Sequence, residues 1–446
     1  MKRRRFIKKA SLASSAAVLA GPHIYPVSTK VSPNDKIQLG VIGCNGMGWS
    51  NVNSMLKMDD VDLIAICDVD QGVINRRQGD YGKLRKNQPA VHGDYRELLA
   101  NPEIDAVVIG TPDHWHCMPM VEALASGKHV FVEKPISNTI EECNLMVEAA
   151  KKYQKVVQVG QWQRSGPHYQ KAIDLVRSGK LGNIRLVKVW AYQGWMKPVN
   201  KIPDEPAPAG VDYDFWLGPA RQRPFNRNRF HFNFRWFWDY AGGLMTDWGV
   251  HEIDIALYAM QALAPVSVMA TGGKLAYPDD ASETPDTLQA VFQYENFSML
   301  WEHATGIDHG PYGRREGIAF IGNNGTLVVN RQGYEVLVEH EAVNYHTKGA
   351  AKMESVEAFE KPRELNYLDL HTQNFIEAVK SNDPSKLNTP IESGSVAAIN
   401  AQMGNIAYKT GSKVYWDPAK SSFIKNENAN KLMRAKYHNG WKLPNP

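Results

Sequence analysis

The chain has 446 residues, enough for two domains, and its 43% hydrophobic content suits a soluble protein with sizeable cores. Six of its 51 basic residues fall in the first twenty positions, with no acid among them; the remainder carries 45 basic against 47 acidic residues, a balance of −2. The formal charge of +4 is therefore a property of the amino end, so the basic pI is no sign of a nucleic-acid partner, and none is expected.

That amino end is itself informative. Arg3 to Lys8 reads RRRFIK and precedes a mild apolar run, Ala10 to Ala20, then Gly21 and Pro22. Eleven residues are too few to span a bilayer, and the pattern is that of a signal peptide. The paired arginines before Phe, Ile and Lys resemble the twin-arginine signal, which exports folded proteins. Residues 1–36 are thus expected to be a signal and linker for export to the periplasm, with a disordered basic tail as the alternative. No later segment is expected to insert stably in a membrane.

From Lys36 to Asp68 the sequence reads KIQLGVIGCNGMGWSNVNSMLKMDDVDLIAICD. An apolar run meets a glycine cluster, a helix-compatible segment follows, and a second apolar run ends on Asp68, which predicts a βαβ unit. Glycines let a backbone approach a pyrophosphate closely, and the amides of a helix N-terminus can hold it. Gly43, Asn45, Gly46 and Met47 are the expected pyrophosphate residues. Asparagine stands where the middle glycine of G-x-G-x-x-G belongs; it tolerates a left-handed backbone better than most residues. Asp68, twenty residues after Gly48, is placed to accept hydrogen bonds from a ribose, which favours NAD. Arg76 and Arg77 are close enough in sequence to leave NADP open.

Strands and helices keep alternating to Gly160: strands near Asp105 to Gly110, His129 to Glu133 and Val156 to Gly160, and helices near Tyr95 to Ala100, Cys117 to Ser126 and Thr139 to Tyr153. This predicts a parallel sheet covered on both faces, an α/β domain over residues 37–160. Beyond Gly160, period-two runs such as Ile184 to Tyr192, Thr287 to Tyr294 and Gly325 to Asn330 predict an α+β domain on a largely antiparallel sheet over 161–446. His340 to Lys361 reads as an irregular loop, and two helices are predicted near Leu368 to Lys380 and Ile391 to Tyr408. The four cysteines form no C-x-x-C pair and read as buried free thiols.

Three clusters could carry chemistry. Thr111-Pro-Asp-His114-Trp-His116 and Glu133-Lys134-Pro135 each follow a strand, where parallel sheets bind ligands. A lysine there could stabilise alkoxide charge on a substrate hydroxyl. In GGLMTDWGVHEID, Asp247, His251, Asp254 and Tyr258 fall at spacings of four, three and four, which predicts one helical face. Histidine could take a carbinol proton with a carboxylate one turn away to orient it. A satisfied core histidine is the plainer reading, and a metal site lacks an evident third ligand. Six of the twelve tryptophans lie between Trp190 and Trp248, an aromatic region equally suited to sugar faces or to a core.

Together GVIGCNGMG, the acidic end of the second strand, TPDHWH, EKP and GG-x-x-x-D-x-x-x-H resemble the Gfo/Idh/MocA family of sugar and cyclitol oxidoreductases, from about Ile37 to Tyr415. The resemblance implies a Rossmann domain followed by a domain whose open sheet mediates homo-oligomerisation. It implies that Lys134, Asp247 and His251 are catalytic, and that Thr111, His114, His116, Glu133 and Gln161 border the nicotinamide. Arg164, Tyr192 and Trp238 are the further candidates for holding a carbohydrate substrate. The expected reaction is hydride transfer at a secondary alcohol with a tightly held NAD, because an exported enzyme has no supply of free nucleotide. Two other outcomes are a glycosidase that oxidises transiently and a sugar-binding protein without turnover; the intact Lys/Asp/His set argues against the latter.

Overall fold

The structure, a computed structural model, describes residues 36–446. The export-signal expectation falls on residues outside that range. The glycine-rich unit folds as strand β1 (Ile37–Ile42), a helix (Gly46–Met55) and strand β2 (Val61–Cys67). Four strands follow: β3 (Ala90–His92), β4 (Ala106–Ile109), β5 (His129–Val132) and β6 (Val157–Val159). All pair in parallel, in the order β3-β2-β1-β4-β5-β6. Strands covered by crossover helices on both faces must be apolar throughout, as β4 is. Strand order reverses between β1 and β4, and the carboxyl ends there open the crevice in which such sheets hold ligands. The helix Gln71–Gly82 and the strand β3 add to the elements the sequence suggests. The helix buries only Val73, Ile74 and Tyr81, and β3 is mostly exposed, so neither carries a strong hydrophobic period.

The second sheet has ten strands. Its body is β7 (Leu186–Gln193), β8 (Ser267–Gly273), β9 (Thr287–Gln293), β10 (Ser298–Thr305), β11 (Glu316–Ile321), β12 (Gly325–Asn330) and β13 (Gly333–Val338). Phe359–Glu360, Val414–Asp417 and Ser422–Phe423 extend its edges. Pairing is antiparallel except between β7 and β10. Val187, Val189 and Ala191 of β7 join the main core under the helices Pro167–Arg177 and Gly249–Met260. The stretch expected to be an irregular loop instead contains a hairpin, His340–Ala342 with Lys348–Ala351, and one edge strand. Its exposed polar strands lack the alternation that marks a half-buried strand.

The helices Tyr367–Ser381 and Ile391–Thr410 return to the first domain. Phe375, Ile376 and Val379 share a core with Leu39, Val41 and Phe131, and Ile391 and Ala398 pack with Val157 and Val159. These two late helices thus complete the cores of the first domain as well as packing on the second. All four cysteines are buried and free. Among the described residues no helix is long and apolar enough to cross a membrane.

Candidate active site

β1 runs into a turn in which Gly43 (φ 76°) and Gly46 (φ 47°) take the left-handed conformation that glycine adopts without steric cost. Asn45 is extended (φ −89°), so the residue in the middle-glycine position does not need left-handed tolerance; Gly46 supplies it. A Cβ on Gly48 would stand 2.0 Å from the Gly43 oxygen, and one on Gly43 would stand 2.6 Å from the Thr111 nitrogen. The turn, the start of the helix and the loop after β4 thus touch backbone to backbone. Asp68 ends β2, and its carboxylate accepts the Cys44 N–H at 3.0 Å and the Asp70 N–H at 3.1 Å. Burial raises the Asp68 pKa against those two hydrogen bonds. Arg77 is committed elsewhere, donating to the Cys44 carbonyl at 2.9 Å, pairing with Asp80 at 2.8 Å and lying over Trp49. Arg76 is exposed.

The cleft above these residues runs from Gly43, Asn45, Gly46, Met47 and Asp68 to Thr111, His116, Glu133 and Lys134. It fits a dinucleotide: glycines line the phosphate end, and Thr111, beside Gly43, offers a buried hydroxyl with no partner. Glu133 accepts from Asn51 Nδ2 at 2.7 Å, and His116 sits between the Pro135 and Thr111 carbonyls at 2.7 and 2.8 Å. Burial outweighs those two carbonyls and lowers the His116 ring to about 4.

A segment of the second domain crosses over this cleft. The Asp212 N–H donates to the Val69 carbonyl and the Gln71 N–H to the Gly210 carbonyl, each at 2.9 Å. His231 Nε2 lies 2.9 Å from an Asp70 carboxylate oxygen, and its Nδ1 lies 3.3 Å from Asn45 Nδ2. Phe230, Phe232, Phe234 and Arg235 line the cleft from this side.

At the inner end, Lys134 Nζ donates to Asp247 Oδ1 at 2.8 Å and to the Asp247 carbonyl at 3.0 Å. Arg235 Nε adds a second bond to that carboxylate at 3.3 Å. Burial pushes the Asp247 carboxyl up, but Lys134 and Arg235 outweigh it and hold the group at about 2. The expected single helical face is divided at Trp248, between Leu244–Asp247 and Gly249–Met260. Asp247 consequently serves Lys134 and Arg235, and it does not orient His251. That imidazole is buried between Trp162 and Trp248, and its Nδ1 has no partner. Burial, then Lys134 and Arg331, lowers its pKa well below the usual value and keeps it neutral. Gln161 Nε2 donates to the Val250 carbonyl beside it, which makes Gln161 a support of this helix and not a wall of the cleft.

Four other expected residues are placed differently. Arg164 forms a buried two-bond pair with Asp254 (2.7 and 2.8 Å), bonds Ser393 and lies against Tyr258. Tyr192 projects from the other face of its sheet, with Trp190, and bonds Glu302. Trp238 and His114 line a second cavity, and His114 Nε2 faces the Trp216 carbonyl at 3.2 Å. Alternation along β7 explains Tyr192, since Val189 and Ala191 already occupy the core face. Replacing Arg164 with leucine should cost roughly 3–5 kcal/mol, because Asp254 would be buried without a counter-charge. Denaturant titration measures this; unchanged stability with weakened substrate affinity would return Arg164 to the substrate. Sequence reading missed Arg235, whose only signal is a lone cation in an aromatic run. Asp113 is a second omission: burial raises its carboxyl to about 8 in the same cleft, against Arg235 and Lys134.

Fold and site together define a two-domain dinucleotide-binding protein with a Lys134–Asp247 pair at the inner end of its cleft and, buried behind it, a neutral histidine that feels the charge of Lys134. A family model described as an oxidoreductase family with an NAD-binding Rossmann fold matches residues 37–161. Its C-terminal alpha/beta domain model matches 170–284 and 352–443. The chain belongs to this Gfo/Idh/MocA oxidoreductase family. A glycosyl hydrolase family 109 protein from a Shewanella species is 34% identical over 201 residues, covering 41% of this chain and 44% of that one. An alpha-N-acetylgalactosaminidase of Shewanella oneidensis is 30% identical over the same length and coverage. The matched segment thus spans under half the length of these relatives. The aldose-aldose oxidoreductase of Caulobacter crescentus shares the fold at 19% identity (TM-score 0.62), covering 85% of this chain and 99% of that one.

Proposed function

We propose that the protein is an NAD-dependent oxidoreductase acting on a secondary alcohol of a sugar, glycoside or cyclitol. The observation that carries this is the Lys134–Asp247 pair at the inner end of the glycine-lined cleft, with the charge of Lys134 felt at a neutral, unpartnered His251. NAD bound in the cleft supplies the hydride acceptor. Ionised Asp247 keeps Lys134 in place as a charged donor to the substrate oxygen, which stabilises alkoxide character as the C–H bond breaks. His251 accepts the hydroxyl proton, and Trp162 and Trp248 shield it from water. Asp68 favours NAD over NADP, since a carboxylate repels a 2′-phosphate and Arg77 is already bonded to Cys44 and Asp80.

The segment carrying His231 and three phenylalanines over the cleft supports a nucleotide that does not dissociate. Such retention suits export in a folded state through the twin-arginine-type signal of residues 1–36, with work in the periplasm. Turnover then passes either between two substrates or through a redox-neutral cycle. The test is purification without added nucleotide, extraction, and a sugar panel followed by absorbance of bound nicotinamide. About one NAD per chain and reduction by a carbohydrate are expected; nucleotide-free protein working only with freely exchanging NAD would refute the retention, and tighter binding of NADP(H) than NAD(H) would refute the cofactor choice. In the same preparation, Leu186, Met269, Val291 and Tyr415, exposed on the large sheet, should be covered in a homo-oligomer. Light scattering giving the 50.0 kDa of one chain would remove that part. The glycosidase reading is favoured by the two Shewanella relatives, and release of free sugar without net reduction of nicotinamide distinguishes it.

A further inference from the structure

A second cavity, of about 300 Å³, lies behind the active-site loop, between the helix Ile391–Thr410, the loop after Gly218 and the carboxyl-terminal tail. Its mouth is basic. Arg221, Lys409, Lys431 and Lys436 line it, all accessible to solvent and none in an ion pair among the described residues. The acids around it are engaged: Asp239 pairs with Arg223 at 3.1 Å, and Glu142 accepts from Tyr437 at 2.8 Å and Thr139 at 2.9 Å. Lys409 is held in position, its ammonium 3.6 Å from the centre of the Trp238 ring. Partial desolvation lowers that ammonium to about 8, so it has stabilisation to gain from an anion.

The base of the cavity is polar and incomplete. Gln402 Nε2 and Asn405 Oδ1 are buried without partners, in residues 7% and 2% exposed. Asn405 Nδ2 is fixed on the Gly242 carbonyl at 2.9 Å, so its free oxygen needs a donor while the Gln402 amide needs an acceptor. Buried polar groups are ordinarily satisfied, and a hydroxyl can serve either role. We infer that this cavity is a binding site, separate from the catalytic cleft, for an anionic carbohydrate: its carboxylate or phosphate meets the lysine-rich mouth and its hydroxyls meet Gln402 and Asn405. This goes beyond the proposed reaction, which uses none of these residues.

Calorimetric titration of the full chain with glucose 6-phosphate, glucuronate, inorganic phosphate and glucose tests it, the first two separating a phosphate from a carboxylate ligand. At least one anionic sugar should bind saturably. That binding should weaken about tenfold or more in Lys409→Gln and in the solvent-exposed Lys436→Gln, as expected for a lost charge-assisted bond. It should persist in Lys134→Met, which alters only the catalytic cleft. Absence of saturable binding by both anionic sugars overturns the inference. So does equal affinity for glucose, which would mean the cations are unused, or equal affinity for inorganic phosphate, which would mean the amides are. Loss of binding in Lys134→Met with Lys409→Gln unaffected would place the ligand in the catalytic cleft and also overturn it.

Discussion

Lys134→Met should reduce turnover roughly a thousandfold or more while the protein still folds and retains nucleotide. Asp247 would not be stranded by the loss, because Arg235 stays within 3.3 Å of the same carboxylate oxygen. The glycine turn and Asp68, at the other end of the cleft, would be untouched. What disappears is the Lys134 ammonium at the inner end, where the proposed reaction develops charge on the substrate oxygen. On the same proposal, His251→Ala should give a loss of similar size by removing the group that would accept the hydroxyl proton. Asp247 has a sign that can be checked in the pH profile. Its lowered pKa, about 2, keeps the carboxylate ionised above pH 4, so no acid limb above that value should trace to it. Steady-state rates on the sugar identified by screening, with nucleotide content measured on the same samples, decide the matter. Near-normal rates in both variants would remove Lys134 and His251 from the proton side of the reaction.

Gly48→Ala should be the most damaging single-methyl change in the nucleotide domain, costing about 3 kcal/mol or more and emptying the cleft of nucleotide. The added carbon would sit 2.0 Å from the Gly43 oxygen and 3.3 Å from the Gly110 Cα, so it meets only backbone. Neither neighbour can move cheaply. The Gly43 N–H donates to the Cys67 carbonyl and the Gly110 N–H to the Ile42 carbonyl, both at 2.8 Å, so yielding would tear β1 from β2 or β4. Two comparisons make the effect specific. A Cβ on Gly46 meets nothing within 4 Å but has φ 47°, so Gly46→Ala should cost only about 1–2 kcal/mol of backbone strain. Gly79 is an open position in the helix Gln71–Gly82, and Gly79→Ala should stabilise by roughly 0.5–1 kcal/mol. Melting temperatures and extracted nucleotide across the three variants test the order. A Gly48→Ala protein as stable and as fully loaded as the parent would refute the close-contact argument.

Some of this protein is written locally. The strand–glycine–helix–strand unit was legible because each part depends on a few adjacent residues: an apolar run, a turn needing positive φ, a helical period. The same holds for the later alternation of strands and helices, and for Lys134 standing just past the end of β5. Other features rest on partners distant in sequence, which no local period reports. Lys134 and Asp247 are 113 residues apart, and only the tertiary fold makes them a pair. Spacing put Asp247 on the face of His251, but a helix interruption at Trp248 and two cations drew the carboxylate away. Arg164 looked available until burial bound it to Asp254, and Tyr192 looked close until strand pairing fixed which face of the sheet it occupies. The polar hairpin at His340–Ala342 and Lys348–Ala351 carries no hydrophobic alternation, so only its backbone pairing reveals it. Sequence by itself determined the local geometry that can hold a dinucleotide. Tertiary structure alone decided which charges meet, because electrostatic partnership and burial depend on distances that folding creates.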